Sequence, residues 1–379
     1  MRRWHGKFVI GLTGNIGTGK SVVRRMLEHL GAYGIDADAL AHRIVAKGAP
    51  GYDAVVQMFG KWILGSDGEI DRVKLGRMVF GDPTALAQLE KITHPYVLQA
   101  IDYFIQRSNH HVVVIEAIKL MESGLEKHCH SLWAVYAPPD VQLKRLMQNR
   151  KMTESDARQR IASQPPQEQK ISAAQVVIRN IGTFEDTWRQ VVTAWKKFIP
   201  TISSEAPTSP LAPATPKELY VVRAGPRNST EIANLMNRLV QPLPPLTRED
   251  IMAKFGEQAF MLLQIGNKMV GVLGWQVENL VARTTDILLD PSIPVAQGLP
   301  ELINEMEQAS RDLQCEASLV FAPPELARQD GLWRTLGYEQ RLPGRLGVIA
   351  WQEAALESMQ PNTVLYFKLL RQDRVLRPI

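Results

Sequence analysis

Cysteine is almost missing from this chain: Cys129 and Cys315 are the only two in 379 residues. They stand far apart and have no metal-ligand spacing. A disulfide framework and a zinc module are therefore not expected, and a reducing compartment, the cytoplasm, is. No apolar run approaches the roughly 18 residues needed to cross a bilayer, so no membrane partner is expected. The start, Met1-Arg2-Arg3-Trp4-His5, is basic, but the apolar residues after it read as a strand feeding a glycine loop. A secretory leader is not expected either. Aromatic residues make up only 7%. They do not alternate with basic ones, and nucleic acid is not expected as a partner. The net charge of +5 is uneven. Residues 1–199 hold 27 Lys and Arg against 19 Asp and Glu; residues 200–379 hold 17 against 20. A basic first half suits a polyphosphate ligand.

What is present organises itself around Gly14-Asn15-Ile16-Gly17-Thr18-Gly19-Lys20-Ser21, which fits G-x-x-x-x-G-K-[ST]. Phe8 to Leu12 before it is apolar and β-prone, a buried strand. Val22 to Leu30 after it is amphipathic, a helix. Strand, glycine loop and helix are the context that makes the pattern a phosphate cradle. The backbone amides of Asn15, Ile16, Gly17, Thr18, Gly19, Lys20, Ser21 and Val22 are the expected nucleotide contacts, helped by the positive end of the helix. Lys20 is expected to reach the β- and γ-phosphates of ATP, and Ser21 to ligate Mg²⁺. A short strand, Tyr33 to Ile35, follows, with Asp36 and Asp38 at its end. Two carboxylates there face the crevice where α/β sheets bind ligands. One can orient or deprotonate an attacking hydroxyl. The alternative for either is a plain helix N-cap.

The loop, Ile35-Asp36-Ala37-Asp38 and Ala41-His42-Arg43 resemble the dephospho-CoA kinase family. So do Phe59-Gly60, Asp67-Gly68, Asp71-Arg72, Thr93-His94-Pro95, Gln142 to Leu146, Arg160 to Gln164 and Val177-Ile178-Arg179-Asn180. The resemblance covers about residues 7–195. It implies an α/β fold: a P-loop kinase core with a parallel sheet, a helical substrate domain over residues 47–110 and a lid. It implies ATP-dependent phosphorylation of the ribose 3′-hydroxyl of dephospho-CoA, the last step of coenzyme A biosynthesis. Asp38 then matches the base on that hydroxyl. Asp36, His94 and Glu116 are the expected substrate contacts, although His94 before Pro95 also reads as a helix boundary. Where the family has Asp followed by Pro-Leu-Leu-Phe-Glu, this chain has Glu116-Ala117-Ile118-Lys119-Leu120-Met121-Glu122 at the end of the strand His111 to Glu116. Gln142 to Arg160 is basic, and Arg145 and Arg150 are the expected catalytic lid arginines. His128, Cys129 and His130 are too close together to face one ion and read as structural. Phe184 to Phe198 reads as a closing helix with Trp188 and Trp195 in the core, and Asn180 is expected near the adenine.

Residues 200–216 hold five prolines among Ser, Thr and Ala, and are expected to be a linker between domains 1–199 and 217–379. The second segment reads as α+β: a strand from Leu219, a helix Thr230 to Leu239 capped by Ser229 or Thr230, and a hairpin about Gly266-Asn267. Then come a strand Thr285 to Asp290, a helix Leu299 to Leu313, a strand Ala317 to Ala322 and the turn Leu332 to Tyr338. This order resembles the GNAT acetyltransferases. It implies a CoA or acyl-CoA partner there, with the pyrophosphate turn reduced to Pro294-Val295-Ala296-Gln297-Gly298-Leu299-Pro300 and no base-plus-acid pair. Competing functions are a P-loop kinase for another nucleoside or metabolite hydroxyl, a non-enzymatic CoA or nucleotide sensor, and an acetyltransferase in the second half.

Overall fold

The computed structural model describes residues 3–199 and 218–371. The expected linker, 200–216, and the end of the basic tail lie outside the described residues. The chain divides into two compact units. One runs up to Lys20 and resumes over Ala32–Arg179; the other takes Ser21–Gly31 and the described residues from Asn180 on. These units do not coincide with the segments drawn from the sequence.

The first part of the chain carries β1 (Phe8–Thr13), α1 (Lys20–His29), β2 (Tyr33–Asp36), α2 (Ala37–Ile44), α3 (Tyr52–Phe59), α4 (Arg72–Gly81) and α5 (Pro83–Arg107). It continues with β3 (Val112–Glu116), β4 (Ser131–Tyr136), α6 (Pro139–Arg150), α7 (Glu154–Ala162), α8 (Gln167–Ala173), β5 (Val176–Arg179) and α9 (Phe184–Phe198). The strands form a parallel sheet in the order β2-β3-β1-β4-β5. A parallel sheet is covered on both faces, so its strands are unbroken apolar runs. Val113, Val114 and Ile115 of β3 are accordingly fully buried. The register sets Leu12 beside Glu116, and Glu116 beside Asp36, at the carboxyl edge of the sheet.

Two expectations change here. His94 and Pro95 are not a boundary: α5 passes through Pro95 without a break. Its start is where the helix chemistry concentrates, with Asp82 accepting the Thr84 N–H at 2.8 Å and Pro83 in the first turn. Proline inside costs one backbone bond, and seven buried residues, Phe104 among them, hold the helix in place. Trp188 and Trp195 are half-buried rather than core.

The chain from residue 218 on is built on a seven-stranded mixed sheet. Its elements are β6 (Leu219–Arg223), α10 (Ser229–Val240), α11 (Arg248–Lys254), β7 (Ala259–Ile265), β8 (Lys268–Glu278), β9 (Val281–Leu289), α12 (Val295–Asp312) and β10 (Ala317–Ala322). It closes with α13 (Pro324–Ala327), α14 (Asp330–Thr335), β11 (Glu339–Gln340), α15 (Ile349–Ser358) and β12 (Val364–Leu369). The order is β11-β12-β10-β9-β8-β7-β6, antiparallel except for β9 with β10. That parallel pairing covers only Val281–Thr284 against Ala317–Val320. Trp333 and Tyr338 are core residues; the indole N–H bonds the Leu326 carbonyl at 2.9 Å and the phenol bonds Ser318 Oγ at 2.9 Å.

Element starts differ from those read in the sequence. α12 begins at Val295 rather than Leu299, because Pro294 at its N-cap has φ and ψ that lead into a helix and Pro300 is tolerated inside. The expected pyrophosphate turn is thus the first turns of this helix. α10 starts at Ser229 with Asn228 at the cap, and the Ser229 hydroxyl bonds the Pro226 carbonyl instead of capping. β9 starts at Val281, four residues before Thr285.

Candidate active site

The loop between β1 and α1 is shaped by glycine. At Gly14 a Cβ would stand 2.5 Å from the Val135 carbonyl oxygen, so no side chain fits. Gly19 has φ +88°, a left-handed conformation that glycine adopts without strain. Within the loop, Thr18 Oγ1 donates to the Asn15 carbonyl at 2.8 Å. Asn15 Nδ2 donates to the Pro165 carbonyl and the Ile16 N–H to Gln164 Oε1, both at 2.8 Å. Lys20, the first residue of α1, is only 8% exposed. Among the described residues no hydrogen bond or ion pair reaches its ammonium. Its stem is buried while the ammonium is not among the buried polar atoms that lack a partner, so the charge stays accessible to an anion. Ser21 follows at the helix start.

The two carboxylates of Asp36-Ala37-Asp38 separate. Asp36 is the N-cap of α2, its Oδ1 accepting the Ala39 N–H at 2.9 Å. Asp38 lies in the first turn, and its Oδ2 accepts the Ile118 N–H at 3.0 Å. Burial holds the Asp38 carboxyl above the usual carboxylate range and the Glu116 charge pushes the same way; Lys20, the Ile118 amide and His42 pull it back. Glu116 is 3% exposed at the tip of β3. Asp38 is thus close enough to Lys20 and Glu116 to feel both charges. Asp36 is in register with Glu116, but a helix cap occupies its side chain.

The two arginines also separate. Arg145 Nη1 lies 3.4 and 3.3 Å from the carbonyl oxygens of Gly17 and Thr18, on the loop itself. Arg150 ends α6, exposed. His94 is half-buried in the middle of α5. Asn180 takes the Thr187 hydroxyl on its Oδ1 at 3.0 Å. Around residue 129 the side chains serve packing. His130 Nδ1 accepts the Val9 N–H at 3.0 Å and its ring lies on Phe8; His128 meets Trp4 edge-on. Burial pushes the Cys129 thiol up to about 12, too high for a thiolate ligand. Among the described residues no three His, Cys, Asp or Glu side chains group to hold a metal.

Sequence reasoning missed Lys170, on α8. It is 3% exposed, and its Nζ donates to the Ile118 carbonyl at 2.7 Å. Burial lowers its pKa; Glu122 raises it, Lys20 lowers it and Asp38 raises it. The signal was a lysine on a short helix just before a buried strand, which is weak.

A glycine loop after the central strand of a parallel sheet, a buried lysine and a nearby carboxylate define a P-loop phosphotransferase. The dephospho-CoA kinase family profile matches residues 8–186. A dephospho-CoA kinase of Geobacter metallireducens is 45% identical over 194 residues, half of this chain and 96% of that protein. This chain belongs to the dephospho-CoA kinase family. A solved structure from Thermus thermophilus is 31% identical, covering 50% of this chain and 97% of that one, with a TM-score of 0.45. A GNAT-family acetyltransferase structure from Streptococcus pneumoniae is 14% identical, covering 40% of this chain and 99% of that one, with a TM-score of 0.31.

Proposed function

We infer that this chain transfers the γ-phosphoryl group of ATP to the ribose 3′-hydroxyl of dephospho-CoA, giving CoA and ADP. One observation carries the reading: Lys20, its stem buried and its ammonium accessible, stands at the end of a glycine loop, close enough to Asp38 to lower its pKa. The loop amides and Lys20 bind the triphosphate, and Asp38 accepts the proton of the attacking hydroxyl or orients it. Its raised pKa makes it a stronger base than an exposed carboxylate. Arg145 neutralises charge spreading over the transferred group. Ser21 is the residue that would hold Mg²⁺, which supplies charge neutralisation on the phosphates. Glu116, behind Asp38, supports the substrate pocket. Catalysis is positioning plus electrostatics, with no covalent enzyme intermediate. The test is purified protein with ATP and dephospho-CoA: equal yields of ADP and CoA are expected. Turnover of a different hydroxyl substrate, with none of dephospho-CoA, would overturn the reading.

For the rest of the chain we propose a kinase domain over residues 1–199, a linker at 200–216 and a GNAT-like domain over 217–379 that binds CoA or acyl-CoA without transferring the acyl group. The proposed compartment is the cytoplasm; among the described residues no helix is long and apolar enough to cross a membrane. The short pairing of parallel β9 and β10, which stops at Thr284, supports a ligand cleft between those strands. Calorimetry with acetyl-CoA and the full chain tests this. Two sites per chain are expected, and a single site that dephospho-CoA displaces would remove the second ligand.

A further inference from the structure

Residues 164–170 follow the basic helices α6 and α7, and they touch the site at both ends. At one end Gln164 and Pro165 hold Ile16 and Asn15 of the phosphate loop, each through a bond of 2.8 Å. At the other end Lys170 Nζ grips the Ile118 carbonyl at 2.7 Å. Thr13, the last residue of β1, donates its hydroxyl to the same carbonyl at 3.3 Å. Ile118 in turn presents its N–H to Asp38 Oδ2 at 3.0 Å. Hydrogen bonds at the two ends of one seven-residue segment therefore tie the loop to the residue whose amide faces the carboxylate.

We propose that Lys170 is a positioning residue for phosphoryl transfer: by gripping the Ile118 carbonyl it fixes the turn whose amide aims Asp38, and its segment keeps that carboxylate in register with the phosphate loop. The proposal rests on the reading of Asp38 given above. Three features favour it over a role in packing. Lys170 is 3% exposed, and a lysine is among the residues least often buried so far. Its acceptor is a neutral carbonyl, and among the described residues no ion pair offsets its dehydration. A core built for stability would place an apolar residue there, because replacing buried charge by apolar side chains is commonly neutral or stabilising.

A double-mutant cycle on the full chain tests this, with kcat, KM for dephospho-CoA and Kd for ATP measured in each variant. Lys170→Met should lower kcat about 30- to 100-fold while both binding constants stay within threefold. Lys170→Arg, which keeps the charge and a donor, should recover kcat to within tenfold of the parent. In an Asp38→Asn background, Lys170→Met should change the residual kcat by less than threefold, because the group it positions is gone. A Lys170→Met kcat within threefold of the parent overturns the proposal. So does a loss that persists in full beside Asp38→Asn, which would make Lys170 independent of the carboxylate. If Asp38→Asn alone keeps the parental kcat, the reading of Asp38 fails first and takes the proposal with it. Should Lys170→Met not fold, the cycle is run with Lys170→Arg. Its loss of kcat should then vanish beside Asp38→Asn, and its persistence overturns the proposal.

Discussion

Replacing Lys20 by methionine should leave the protein about as stable and unable to respond to ATP. The side chain is 8% exposed, and no hydrogen bond or ion pair reaches its ammonium among the described residues. Methionine keeps the length and apolar stem and removes the charge. The ammonium is not among the buried polar atoms without a partner, so losing its charge removes little beyond the attraction to Asp38. A change within about 1 kcal/mol in the absence of nucleotide is expected. With ATP the two proteins separate. At a concentration one hundred times Kd, the parent gains about 2.7 kcal/mol from binding alone. At about 2–4 °C per kcal/mol for a unit of this size, the parental Tm should rise by roughly 5–11 °C. The methionine variant should show almost none of that rise. The assay is a thermal melt by calorimetry or intrinsic fluorescence, with and without ATP and Mg²⁺. A variant whose melt rises by the same interval with ATP as the parent's would refute the assignment of this charge to the triphosphate.

The other expectations concern the remaining charges and the loop. Asp38→Asn should lower kcat about 10²- to 10⁴-fold with ATP affinity little changed, as read from steady-state rates and nucleotide titration. It should also stabilise the protein at pH 8. The folded pKa of Asp38 lies above its unfolded value because of burial, so the parent loses stability as pH rises through that interval. The advantage of Asn, followed by urea melts against pH, should vanish below the ordinary carboxylate range and not grow there. Arg145→Ala should cost about 10²–10³ in kcat, whereas Arg150→Ala should stay within about threefold, since only the first reaches the loop carbonyls. Gly14→Ala puts a methyl 2.5 Å from a strand carbonyl and should cost about 1–3 kcal/mol in a denaturant melt, with loss of ATP binding.

Legibility in the sequence followed distance along the chain. The loop is local, and eight residues with their flanking strand and helix sufficed to place it. Phe184–Phe198 was equally plain, because Thr183 and Asp186 form a complete capping box at its start. Which of Asp36 and Asp38 caps and which faces the site could not be read from spacing. Both precede the same helix, and only the backbone at Asp36, φ −92° and ψ 99°, assigns it the cap. Proline is weak punctuation in this chain. Pro95 and Pro300 both sit inside helices whose buried faces hold them. The turn that carries Ile118 is held by Lys170, 52 residues away, and the Ile16 amide by Gln164, 148 residues away. No local pattern announces such pairs.

The charges at this site make sense only as a set. Lys20, Lys170 and Arg145 approach from one direction of the chain's logic, and Asp38, Glu116 and Glu122 from the other; each of Lys20, Lys170 and Glu116 is at least nine-tenths buried by exposure. Burial raises the pKa of Asp38 and lowers those of Lys170 and Arg145, so it works against the charged form of every group among them that it visibly shifts. A fold selected for stability alone would remove these groups. Their retention is intelligible if the compensating charge arrives with the substrate: a triphosphate facing Lys20 and Arg145 relieves the cations, and proton transfer from the acceptor hydroxyl relieves Asp38. The free-energy cost of holding these groups then becomes differential binding of the state in which phosphoryl and proton are both in transit.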